Sequence, residues 1–153
     1  MILRDASIMA AMTRQVDPLI VDPPVPDKAL QPASLELTLA GDYLIDGGSA
    51  MNAAGKIVHG GLHARQKDPG HAIDVYPKDF ILATTLERVV IPADMVAQVN
   101  GKSSWARRGL VVHQTAGFID PGFRGQITLE LSNASRQPIR LWVGQPICQL
   151  VFM

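Results

Sequence analysis

Strict alternation gives the clearest structural signal in the chain. Over residues 34–39, Leu35, Leu37 and Leu39 fall on one side of an extended backbone. Over residues 126–133, Ile127, Leu129 and Leu131 share one face, while Gln126, Thr128, Glu130 and Ser132 share the other. Further strands are predicted over 80–86, 87–91, 95–99, 139–143 and 147–152, with a turn at 92–94. Near the start the period lengthens. Ile8, Met9 and Met12 recur at helical spacing, predicting a helix over 5–14 with Asp5 as its N-cap. Prolines 18, 23, 24, 26 and 32 exclude a helix or a central strand from 17–32. Residues 41–71, with glycines at 47, 48, 55, 60, 61 and 70 among others, predict a long hairpin or an excursion. No internal repeat appears. The sum is one mainly antiparallel β domain over 1–153, a barrel or jelly-roll-like sandwich with one or two short helices.

Composition narrows the function. Hydrophobic residues make up 47% and charged residues 18% of 153, which fits a globular chain with a real core. Lys plus Arg and Asp plus Glu both number 14, so the net charge is zero. No global basic field exists to hold nucleic acid by counterion release, and any anion site must be local. No apolar run approaches the ~20 residues of a spanning helix, so no membrane role is expected. Acidic Asp5 interrupts the apolar start and no small-residue cleavage site follows, so a secretory leader is not predicted. These features predict a cytoplasmic protein. The single cysteine, Cys148, cannot form an internal disulfide or furnish the paired cysteines of the zinc deaminases. His59, His63 and His71 lie in glycine-rich sequence that does not pre-organise a metal cluster, which favours an exposed polar loop.

Three stretches bear candidate chemistry. In the first, Gly101 precedes Lys102, Ser103 and Ser104 after a predicted strand. A close-approach glycine with hydroxyl and ammonium donors suits phosphate, although a simple helix-capping turn uses the same residues. In the second, Asp120 stands before Pro-Gly, with Thr115 and Arg124 nearby. Asp before Pro-Gly is ordinary turn chemistry, yet these polar side chains crowd between apolar strands. In the third, Glu130 sits in mid-strand, where Glu is disfavoured. It faces either solvent or a pocket.

Taken together and in order, these stretches resemble the dCTP deaminase branch of the trimeric dUTPase superfamily. The residues that carry the resemblance are Gln31-Pro-Ala-Ser-Leu-Glu-Leu37, Pro77-x-Asp-Phe-Ile-Leu-Ala-Thr-Thr-Leu-Glu87 and Gly101-Lys-Ser-Ser-x-Ala-Arg107. His113-x-Thr-Ala-Gly-x-Ile-Asp-Pro-Gly-Phe-x-Gly-x-Ile-Thr-Leu-Glu-Leu-x-Asn133 and Gln145-x-Ile-x-Gln-Leu-Val-Phe152 complete it. The resemblance implies a homotrimer of distorted jelly-roll-like β-barrels with active sites between subunits. It implies zinc-free deamination of dCTP to dUTP and ammonia, supplying dTTP precursors, and in some members hydrolysis of dUTP to dUMP. Glu130 matches the catalytic acid–base carboxylate. Ser103 and the carbonyl of Ala116 match the groups that hold the attacking water, and Arg107 the arginine that orients the glutamate. Lys102 and Ser104 match phosphate-binding positions, Asp120 the ligand of the deoxyribose 3′-hydroxyl, and His113 a structural neighbour. Gln149 belongs to the same substrate-binding set. Mg2+ would ride on the triphosphate.

Several positions depart from the pattern. Trp105 and Arg108 stand where aliphatic or small residues are usual, and Cys148 where a small residue is common. Arg108 either extends the phosphate site or faces solvent. Burial as a small hydrophobe is expected of Cys148. The resemblance implies a further C-terminal segment after the last strand, with Tyr, Lys and Gln groups that close over the triphosphate, for which the sequence ending at Val151-Phe-Met153 offers no expected counterpart. Two rivals follow: a plain dUTP diphosphatase, and a non-catalytic nucleotide-binding trimer. The stretch around His113 and Glu130 favours the deaminase.

Overall fold

The computed structural model describes residues 1–46, 49–51, 57–59 and 62–153, with side chains over 1–45 and 65–153. In chain order the elements are α1 (Asp5–Thr13), β1 (Ile20–Asp22), a 3-10 turn (Asp27–Ala29), β2 (Leu30–Gln31) and β3 (Ser34–Asp46). The excursion supplies β4 (Ser49–Met51), β5 (Ile57–His59) and β6 (Leu62–Gln66). Then come β7 (Ala72–Val75), β8 (Phe80–Val90), β9 (Ala97–Gly101), α2 (Ser103–Ala106) and β10 (Leu110–Val111). The chain continues with β11 (Phe118–Ile119), β12 (Arg124–Asn133), β13 (Ile139–Trp142) and β14 (Pro146–Phe152).

The large sheet runs β10-β12-β8-β3-β14-β9-β11, and every pairing in it is antiparallel. The pair β13-β7 and the hairpin β4-β5 stand apart from it. Alternation fills one face with the core. Leu35, Leu37 and Leu39 of β3 are buried with Leu129 and Leu131 of β12 and with Leu150 and Phe152 of β14. Burying an apolar side chain of this size contributes roughly 1.5–3 kcal/mol, so these rows supply the main driving force. The mainly β architecture expected from the pattern is what forms, its large sheet curled into a half-barrel.

Departures from the expected elements have physical causes. The helix begins on Asp5, but Arg4 occupies the N-cap position, and the Asp5 carboxylate accepts the Ala6 N–H (2.7 Å) from inside the first turn. Ile8 and Ala11 are buried and Met12 packs beside them, whereas Met9 points out to solvent. A nine-residue helix presents one narrow stripe, and the small Ala11 fits it better than Met9. Residues 80–90 form one strand instead of two. Beyond Gly41, where an added Cβ would fall on the Lys67 carbonyl, β3 continues into pairing with β6. His71 is exposed; the side chains of His59 and His63 lie outside the described residues.

The core is not wholly apolar. Glu87 is buried (3%), and its carboxyl group accepts the Thr38 N–H (2.9 Å) and hydroxyl (2.7 Å). It lies at an irregularity where β8 and β12 shift register between Gln126 and Thr128. There the Thr85 hydroxyl takes the place of a ladder carbonyl, accepting the Ile127 N–H (3.0 Å) and donating to the Glu87 carbonyl (2.8 Å). Cys148 is fully buried in β14, and burial, with Glu87 nearby, pushes its thiol up to about 12. Because the thiolate is the nucleophile, we expect Cys148 to resist thiol reagents at pH 8 in the folded protein and to react at once in denaturant. Spectrophotometric thiol titration checks this, and rapid native labelling would contradict it.

Candidate active site

Two clusters of polar side chains form on the surface, one on the outer face of β12 and one beside α2. The first is built around Glu130. The register shift at Thr85 sets Glu130 opposite Leu82, midway along β12, on the face away from the core. Strand β10 pairs with the end of β12, through Leu110↔Asn133 and Val111↔Ser132. Just beyond that ladder the Val112 carbonyl accepts the Glu130 N–H (3.0 Å). The Gln114 backbone N–H then donates to Glu130 Oε2 at 2.7 Å, which fixes the direction of a half-buried carboxyl group. Glu130 forms one wall of a cavity of about 330 Å3, with Ala116, Phe118, Asp120, Phe123 and Thr128 around it.

Asp120 reaches this cavity through a turn. The Phe123 N–H donates to the Asp120 carbonyl (3.2 Å), and Gly122 adopts φ 78°, a left-handed conformation that favours glycine. The turn reading of Asp-Pro-Gly therefore describes the backbone, and the Asp120 side chain remains exposed at the cavity. Phe118, exposed at the rim, and Gln126 and Thr128 of β12 belong to the same wall. The sequence reading did not single out these three. Gln126 and Thr128 share the Glu130 face by alternation, so the signal was present.

The second cluster centres on Lys102. With Gln31, Glu36, Ser103, Ser104 and Gln149 it lines a separate cavity of about 330 Å3. The Lys102 ammonium is ion-paired with Glu36 across two strands, and both side chains are largely buried. Gln149 Oε1 accepts the Ser34 hydroxyl (3.2 Å). Lys102 itself takes the N-cap position of the four-residue α2 and makes no side-chain cap, so Ser103 and Ser104 are exposed in the helix. A capping turn does not account for these residues. The Trp105 indole N–H anchors α2 to the Pro146 carbonyl (3.0 Å), and the exposed Arg108 guanidinium lies 4.6 Å over the same ring. This cation–π contact gives Arg108 a place at the surface without a phosphate. Arg107 is exposed and lines neither cavity.

Within one chain, then, Glu130, Ala116 and Asp120 share one cavity, while Lys102, Ser103, Ser104 and Gln149 share another. His113 belongs to neither. It lines a third cavity of about 260 Å3 with Gly101 and Val112, and its Nδ1 is buried without a partner among the described residues. A Cβ on Gly117 would approach that ring to 3.0 Å and the Val99 carbonyl to 3.2 Å, so glycine lets the segment fold against His113. Among the described residues no three His, Cys, Asp or Glu side chains converge as metal ligands would.

A family model described as dCTP deaminase-like matches residues 2–153. The chain belongs to this family. It is 41% identical over 130 residues to a "dCTP deaminase, dUMP-forming" of Dictyoglomus thermophilum, covering 83% of this chain and 67% of that protein. A "dCTP deaminase" of Haloarcula marismortui is 42% identical over an alignment of 161 positions, gaps included, covering 99% of this chain and 80% of that protein. Among solved structures, the 2′-deoxycytidine 5′-triphosphate deaminase of Agrobacterium tumefaciens superposes with a TM-score of 0.74 at 26% identity. That superposition covers 99% of this chain and 46% of the other. This chain is thus shorter than each of these three relatives.

Proposed function

We propose that this protein deaminates dCTP hydrolytically to dUTP and ammonia, without a bound transition metal. The observation that carries the reading is Glu130, held by the Gln114 N–H on the wall of a cavity that also contains Ala116 and Asp120. A carboxylate fixed in direction can take a proton from water as the water oxygen adds to C4 of cytosine. It passes that proton to the ring nitrogen, then moves the remaining proton of the added hydroxyl to the amino group, which leaves as ammonia as the C4 carbonyl forms. Ser103 and the Ala116 carbonyl would hold the water, and Arg107 would orient Glu130 and stabilise the addition intermediate. Asp120 would accept the deoxyribose 3′-hydroxyl. Lys102 and Ser104, with Gln149 beside them, would meet the phosphates, and His113 would support the loop. Mg2+ would be carried by the triphosphate rather than by a protein cage. A cytoplasmic setting suits this substrate.

The two cavities join into one site if each subunit of a homotrimer lends its Lys102–Arg107 segment to a neighbour's Glu130. Closed cyclic symmetry would give three such sites. The test is complementation. Chains carrying Glu130→Gln and chains carrying Ser103→Ala, each inactive alone, are unfolded together and reassembled. About a quarter of the parent activity should return, because random assembly pairs an intact Glu130 with an intact Ser103 at one interface in four. No recovery would place both groups in one subunit.

The function itself is tested by ammonia release from dCTP beside diphosphate release from dUTP. Ammonia is the expected product, and diphosphate without ammonia would replace this reading with a dUTP diphosphatase. The "dUMP-forming" name of the Dictyoglomus relative favours a second step, in which dUTP goes on to dUMP in the same site.

A further inference from the structure

Gln114 touches Glu130 and β12 at two points, and no role has been given to its side chain. Its backbone N–H donates to Glu130 Oε2 (2.7 Å), and its side-chain amide Nε2 donates to the Ser132 hydroxyl (2.8 Å). Ser132 lies two residues beyond Glu130 on the same face of β12. The regular ladder between β10 and β12 ends at Val111↔Ser132, so no further strand pairing holds the segment that follows. The Val112 carbonyl makes one more bond to β12, and from there to Gly117, whose carbonyl accepts the Val99 N–H (2.7 Å), the segment has its Gln114 contacts. The same segment carries Ala116 to the Glu130 cavity.

We propose that Gln114 is a positioning residue, whose side chain latches the 112–116 segment onto Ser132 so that its backbone N–H stays on the Glu130 carboxyl group. The inference rests on Glu130 being the proton shuttle. The latch acts through geometry alone. With the amide of Gln114 tied to Ser132, the backbone N–H has one place to point, and Glu130 Oε2 occupies it. One fixed oxygen leaves the other free to face the cavity. Ala116, two residues along, reaches the cavity between this anchor and the Gly117 carbonyl, which accepts the Val99 N–H (2.7 Å). Catalytic groups lose rate steeply when such geometry loosens. Without the latch the backbone N–H is still present, but the segment holds it in place for less of the time.

The expected signature separates positioning from binding. Gln114→Met keeps the length of the side chain and removes the donor; Ser132→Ala removes the acceptor. Each should lower kcat on the order of three- to tenfold, the range expected for one net side-chain hydrogen bond, with KM within about twofold of the parent. The double variant should be no worse than either single, since both break one contact. Ser132→Thr, which keeps the hydroxyl, should restore most of the rate. A second readout needs no turnover: the amide resonance of residue 114 should follow the titration of the Glu130 carboxyl group in the parent, with smaller amplitude in Gln114→Met and none in Glu130→Gln. Singles indistinguishable from the parent, multiplicative effects in the double, or an amide insensitive to Glu130 would each overturn the latch. Glu130→Gln, run in parallel, keeps the two ideas apart. If it retains full deamination, or the parent releases no ammonia, the proposed function falls, and the amide titration still decides the latch.

Discussion

Glu130→Gln lowers the rate of dCTP deamination by at least about 10²–10⁴-fold while nucleotide affinity stays within a few-fold of the parent; this is the expected result with the widest range. Glutamine preserves the shape of the side chain and leaves an oxygen to accept the Gln114 N–H, so the cavity wall and its hydrogen bond survive. The substitution removes the ability to take up and return a proton. Under the proposed assignment the binding contacts belong to Lys102, Ser104 and Asp120, and they are untouched. Asp120→Asn should differ in kind. An acceptor for the sugar hydroxyl is weakened, so affinity falls along with rate. Turnover and equilibrium nucleotide binding, measured for both variants, discriminate the roles. Full deamination by Glu130→Gln would leave the mechanism without its proton carrier.

The second large effect is on stability. Glu87→Ala should cost about 3–5 kcal/mol, from two Thr38 donors left without their acceptor and from the space the side chain vacates. Total stabilities are typically about 5–15 kcal/mol, so a large part of the margin would go. Glu87→Gln keeps one acceptor oxygen and most of the volume, and should lose less than half as much. Urea unfolding followed by circular dichroism gives both values. A loss for Glu87→Ala within about 0.5 kcal/mol, as for a surface residue, would show that the Thr38 contacts contribute nothing.

Glu87 also shows where the sequence runs short. The predicted 87–91 strand begins on Glu87, with no side assigned to its carboxyl group. In the structure the alternation of β8 carries it inward, to Thr38, 49 residues away in sequence. Nothing local to residue 87 signals that partner. Glu36 is a similar case: alternation places it opposite the leucines of β3, but its pairing with Lys102, 66 residues away, depends on how β3, β14 and β9 lie side by side. By contrast, the outward direction of Glu130 follows from Ile127, Leu129 and Leu131 alone, because a period of two needs no tertiary information. The helix boundary was legible and its buried face only partly so. Helical spacing grouped Met9 with Ile8 and Met12, whereas in the structure Ile8 and Ala11 are buried and Met9 is exposed.

Strand β14 lies between β3 and β9, joined to each by its own antiparallel ladder, although it is made of residues 146–152. A nascent chain that has not yet delivered those residues holds β3 and β9 as two separate strand edges, with the leucine rows of β3 uncovered. Strand edges of this kind invite pairing with other chains. The sheet is therefore completed only after nearly all of residues 1–153 have left the ribosome, and the contact that completes it spans more than a hundred residues, from Leu150 back to Leu35. High contact order of this sort slows folding and lengthens the time spent with edges open. The layout of the sheet thus makes synthesis the interval in which this protein is most exposed to aggregation.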